Sequence, residues 1–159
     1  MCIRDSAGGT PLKDTKENNK LWAENPQYLI ELKKPADVFI SLGQPDQRLV
    51  PGQVYPFPKL KKTMISVWKI EDDECHLETF DKTRKPMMTT IKEYREQSIQ
   101  LDLEPGRYMV VPSTKNPGRY STFHLSIYFS CGDEEDRGGD VFKDFHARYV
   151  NPYTGEDSH

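Results

Sequence analysis

Between residues 97 and 129 the chain holds two stretches in which apolar and polar side chains alternate with a period of two, and this limits the fold more than any other feature. In QSIQLDL, Ile99, Leu101 and Leu103 fall on one side of an extended chain, and Ser98, Gln100 and Asp102 on the other. In TFHLSIYF, Phe123, Leu125, Ile127 and Phe129 alternate with Thr122, His124, Ser126 and Tyr128. A strand with one apolar and one polar face belongs in an antiparallel sheet that is buried on one side. RYMVVPS, between them, reads as another strand, entered through Pro105-Gly106. Proline presets φ at the second position of a type II turn and glycine accepts the positive φ at the third. Pro117-Gly118 repeats that chemistry in the next connection.

The first half follows the same grammar. QYLIELK places Tyr28, Ile30 and Leu32 on one face, and DVFISLGQ does so with Val38, Ile40 and Leu42. TMISVWKI is apolar on both faces, Met64, Trp68 and Ile70 against Ile65 and Val67, as a central strand covered on two sides must be. CHLETF is a weaker strand candidate. About eight short strands at this spacing predict an all-β, antiparallel, eight-stranded sandwich over residues 21–130. Pro45, Pro51, Pro56 and Pro58 make residues 45–60 a loop. TTIKEYREQ and DVFKDFHARYV are the two stretches with potential for short helices. Residues 1–20 form a polar N-terminal segment without periodicity, and residues 131–159 open on GDEEDRGGD and read as an acidic, glycine-rich tail. Trp68 and Phe123 are expected in the core, with Trp22 and Tyr28 closing one edge.

A chain of 159 residues is one domain by size. Its net charge of −3 supplies no global pull toward nucleic acid, and its aromatics sit at core positions, where they form no platform for stacked bases. No segment approaches the ~20 apolar residues of a membrane-spanning helix, and the N-terminus has no apolar signal core. The three cysteines, Cys2, Cys75 and Cys131, are far apart and odd in number, which points to reduced thiols and a cytoplasmic chain.

NPQYLIELK, MISVWKI, LEPGRYMVVPST and FHLSIYF, preceded by AGG and Trp22, closely resemble domain III of calpains, in order and from about Ala7 to about Phe129. The resemblance implies a C2-like β-sandwich that follows the protease core in the same parent chain. It also implies a non-catalytic, regulatory role that couples calcium and membrane signals to a calpain-type cysteine endopeptidase, in the cytoplasm and peripherally at membranes. In that family AGG marks the junction with the core, and the catalytic residues lie in the core. Met1–Ser6 has no counterpart in the pattern and is expected to be foreign to it.

The residues themselves assemble no catalytic set. Cys75 precedes His76, but neighbours on a strand point to opposite faces, and Cys131 sits beside acidic residues that raise a thiol pKa. Calcium needs six to eight converging oxygens. Where many calpains carry an acidic loop after the NPQYLI strand, this chain has LKKPAD, with Asp37 as its only carboxylate. EDDEC offers Asp72, Asp73 and Glu74, after Glu71, as weak calcium candidates, and Asp133–Asp136 reads as solvated linker. Lys33, Lys34, Lys59, Lys61, Lys62 and Arg107 are candidates for a basic patch facing anionic phospholipid or an acidic surface of the protease core; scattered solubilising charge is the alternative. A free-standing C2-like module that binds lipid or protein is the second reading of the whole chain. VNPYTG reads as a terminal turn.

Overall fold

In a computed structural model that describes residues 2–3, 9, 15–49, 51–56, 59–116, 123–130, 145–150 and 157–158, the alternating segments become strands of two antiparallel sheets. In chain order the strands are β1 (Cys2–Ile3), β2 (Gln27–Leu32), β3 (Ala36–Gly43), β4 (Thr63–Ile70), β5 (Met87–Met88), β6 (Glu96–Leu103), β7 (Gly106–Thr114), β8 (Phe123–Ser130), β9 (Phe145–Val150) and β10 (Asp157–Ser158). One sheet has the order β1-β8-β3-β6 and the other β10-β9-β2-β7-β4-β5.

The expected faces pack against one another. Tyr28, Ile30 and Leu32 of β2, Ile65 and Val67 of β4 and Val110 of β7 meet Val38, Ile40 and Leu42 of β3, Leu103 of β6 and Leu125 of β8 in an inner core, with Ile99, Leu101, Phe123, Ile127 and Phe129 half-buried around it. The two-sided apolarity of β4 has its counterpart on the outer face of the larger sheet. There Leu29, Met64, Trp68, Ile70, Met109 and Val111 form a second core with Trp22, Leu77 and Phe80.

Non-sheet chain covers this outer core. Helix α1 (Lys16–Trp22) starts inside the segment read as featureless. The Thr15 hydroxyl accepts from the Asn18 N–H at 3.2 Å, as an N-cap does. Its last residue, Trp22, brings its ring within 5.0 Å of Trp68 and 5.2 Å of Phe80. Phe80 belongs to the connection 71–86, and its N–H donates to Asn19 O at 3.0 Å. Trp22 therefore lies deep in the outer core, across the sheet from Tyr28, and does not close an edge with it.

Three local expectations are corrected. CHLETF is not a strand, because the buried side chain of Gln27 takes the place of a strand partner: its Oε1 accepts from Leu77 N–H at 2.9 Å and its Nε2 donates to Leu77 O at 2.9 Å. TTIKEYREQ is not a helix, since Lys92 bridges to Thr63 and β6 starts at Glu96. DVFKDFHARYV is not a helix where it is described: β9 pairs residue for residue with β2, from Gln27↔Val150 to Leu32↔Phe145. Gly106 has the positive φ expected of it, at 153°, far beyond the ~80° of a type II turn but still in a region that side chains avoid. Cys2 and Ile3 pair with His124 and Phe123. Pro117-Gly118, Cys131, Asp133–Asp136 and the residues after Val150 in VNPYTG lie outside the described residues.

Candidate functional site

The strand register assigns each charged candidate to an end of the sandwich. β2 and β4 run parallel to each other and antiparallel to β7, so Leu32, Ile70 and Gly106 mark one end and Thr63 and Thr114 the other. Eight residues of β4 separate the ends, about 23 Å at the rise of a strand.

The first end carries EDDEC, LKKPAD and Arg107. The Arg107 guanidinium reaches over the loop after β4: Nη1 donates to Glu71 O at 3.1 Å and also to Asp72 O, while Nε lies 3.3 Å from Glu31 Oε1. Arg84 Nη1 donates to Glu74 Oε2 at 3.0 Å, and its Nη2 engages the other carboxylate oxygen. This bidentate pairing, aided by the Glu71 N–H, holds the Glu74 carboxyl below the usual carboxylate range. Asp72 and Asp73 are exposed and do not converge with it, and among the described residues no three acidic, histidine or cysteine side chains stand close enough to share a metal ion. Lys33 and Lys34 occupy the short β2–β3 connection, both exposed. Cys75 is exposed, whereas His76 turns inward to Gln27 Nε2 at 3.1 Å, and burial pushes its imidazole pKa down.

The opposite end carries Lys59, Lys61 and Lys62, so the six basic candidates do not form one patch. Lys33, Lys34 and Arg107 lie about one strand length from the other three. Lys61 and Lys62 instead meet Lys115, whose N–H donates to Lys62 O at 2.8 Å, around a cleft of about 190 Å³ also lined by Leu60, Thr114 and Asn116. Lys92 joins them through the bridge to Thr63, with its ammonium 5.2 Å from the centre of the Tyr94 ring.

The family model of the calpain large subunit, domain III, matches residues 3–128. The chain belongs to the calpain domain III family. Over 108 residues it is 28% identical to calpain-5 of Mus musculus, covering 66% of this chain and 16% of that protein. Over 135 residues it is 27% identical to serine/threonine-protein kinase 4 homolog B of Dictyostelium discoideum, covering 77% of this chain and 10% of that protein. The chain thus spans a small part of either relative's length. Within this calpain-type, non-catalytic domain, NPQYLIELK carries Gln27, which ties down the outer cover, and MISVWKI carries Trp68, the centre of the outer core. No helix among the described residues is long and apolar enough to cross a membrane.

Two features escape the motif reading. Arg84 holds Glu74 from ten residues away, a pairing without a sequence period. Leu49, Val54 and Tyr55 are exposed large hydrophobics in the loop 45–60. Their signal was present: apolar residues set among prolines, outside any strand or α-helix and with Leu49 ending a single 3-10 turn (Gln47–Leu49), have no periodic face on which to be buried.

Proposed function

We propose that this domain regulates a calpain-type protease core in the same parent chain, acting in the cytoplasm and coupling membrane contact to proteolysis without doing chemistry itself. The family match over residues 3–128 is the observation that carries the reading. Calcium enters weakly. Binding at Asp72, Asp73 and Glu74 requires Glu74 to leave Arg84, and so few oxygens leave the ion's dehydration poorly repaid, which puts affinity near millimolar. The connection LKKPAD, basic where many calpains are acidic, favours anionic partners that need no calcium bridge.

The test is the parent coding sequence and its product. The segment upstream of Ala7 should encode a papain-like core with its Cys and His, and deleting the domain from that parent should alter casein cleavage. The isolated chain should neither cleave casein nor take up active-site-directed thiol inhibitors. An upstream segment without such a core would overturn the reading.

The match to a protein named as a serine/threonine kinase favours a second reading, a C2-like binding module that operates without a protease. The same upstream sequence decides between them.

A further inference from the structure

Strand β6 ends the smaller sheet. β3 holds it along one side without a break, from Ala36↔Leu103 to Gly43↔Glu96. Among the described residues its other side makes no backbone hydrogen bond. The Gln97 side chain donates to Thr90 O at 2.6 Å and fixes the chain only where it enters the strand. Sheets usually blunt such an edge with a proline, a bulge, a lysine or a very short strand. EQSIQLDL has none of these: it is eight residues long, in continuous register, with no proline, glycine or lysine. Its inward residues are also incompletely covered. Ile99 and Leu101 are half-buried, whereas Ile40 and Val38, their partners on β3, are fully enclosed.

The outward face selects the kind of chain that fits. Asp102 stands directly opposite Asp37, both exposed, and Ser130 completes that row on β8. Like charges opposed across a ladder are destabilising. The next two rows, Gln100–Phe39–Tyr128 and Ser98–Ser41–Ser126, contain no cation to offset them. A strand added beyond β6 would set one side chain in line with Asp102, its Cβ about 5 Å away. A lysine or arginine there faces both carboxylates. The alternate residues of the added strand would lie beside Ile99 and Leu101, where apolar side chains complete the burial. A second copy of this chain does not meet these terms. Antiparallel pairing of β6 with itself, apolar faces inward, sets Glu96 against Asp102 or against Glu104 in its two longest registers.

We propose that β6 is a docking edge for an extended segment of a partner protein in which apolar residues alternate with lysine or arginine, added as a further strand of the smaller sheet. Backbone hydrogen bonds supply affinity, Ile99 and Leu101 the apolar contact, and Glu96 with the Asp102–Asp37 pair the selection for positive charge. The edge belongs to the sheet that takes no part in the outer core, so it is filled without disturbing Trp22 or Trp68. The inference goes beyond the regulatory reading, since it needs no membrane, no calcium and no protease core.

Fluorescence anisotropy of the full chain with a labelled peptide that alternates valine and arginine over the length of β6 tests this. Binding should weaken roughly tenfold or more when glutamate replaces arginine, or when the same residues are regrouped into a valine block and an arginine block. N-methylation of the peptide backbone on the side facing β6 should abolish it, because the ladder then lacks donors. Asp102→Lys should weaken binding of the arginine peptide roughly fivefold and admit the glutamate peptide. The same change should raise the melting temperature of the free chain, since it removes the opposed carboxylates, so the variant reports on its own folding. Hydrogen exchange of the β6 amides that β3 leaves unpaired should slow when peptide is added, with those of β8 unchanged. Binding that survives N-methylation or regrouping, protection that appears in β8 or nowhere, indifference to Asp102→Lys, or pairing of β6 between copies of the free chain would each overturn the proposal.

Discussion

The inner and outer cores share strands but are built differently. Both use β2, β4 and β7, whose alternate residues look in opposite directions. The inner core is almost wholly aliphatic and is closed by a second sheet, so each wall is held by a continuous ladder of backbone hydrogen bonds. The outer core is centred on the rings of Trp22, Trp68 and Phe80, and its lid is one short helix and an irregular connection. That lid depends on single side-chain anchors: Gln27 on Leu77 and Arg84 on Glu74. The same strands thus support a wall held by repetition on one side and a wall held by a few particular residues on the other.

The largest expected effect asks whether the two cores unfold as one. Trp68→Ala should cost about 3–5 kcal/mol and Ile40→Ala, in the inner core, about 2–5 kcal/mol. Chemical denaturation followed by fluorescence and by far-ultraviolet dichroism should give coincident transitions in both variants. Separate transitions for Trp68→Ala alone would show that the outer core is an appendage. A smaller effect sharpens the contrast. Gln27→Ala strips the Leu77 N–H and C=O of their buried partners and should cost about 1–3 kcal/mol. Hydrogen exchange should quicken around Leu77 and Phe80 while amides of β3 and β6 keep their protection. Uniform loss across both sheets would mean that the lid is not held locally.

The smallest effect is a pH slope. Burial lowers the His76 pKa below its ordinary 6.5, so the unfolded chain takes up the proton more readily than the folded one. Stability should therefore fall as pH drops below about 6.5, and be restored as pH rises through it. A protonated His76 would also turn an N–H toward the Gln27 amide, which now approaches it at 3.1 Å. Melting curves across this range should show the slope in the native chain and lose it in His76→Gln. A slope that persists in the variant would assign it to another group.

What was legible follows from which features have a period. The faces of β2, β3, β4, β6 and β8 could be read because one residue in two must be apolar, and the double apolarity of TMISVWKI announced a second covered face. The cover itself could not be read. Leu77 and Phe80 are buried by tertiary contacts with Trp22 and Trp68, and a glutamine replaces the strand that CHLETF suggested. The basic candidates were visible as residues but not as a surface, because loop charges are sorted by strand direction. Only the register showed that Lys33 and Lys61 lie at opposite ends. The exposed Leu49, Val54 and Tyr55 were visible as composition, but a proline-broken loop has no period that assigns them a face.

The pairing of β9 with β2 bears on where the domain can be cut. The family match stops at residue 128, before β9 begins. A fragment trimmed to that match would bare the full length of β2 on the side where Phe145–Val150 now lies, six residues of unpaired backbone in a mostly apolar strand. Such an open margin is a template for any other extended chain. The shorter piece should therefore be prone to aggregate or to swap strands between copies, even though the identifying motifs lie within it but for Phe129.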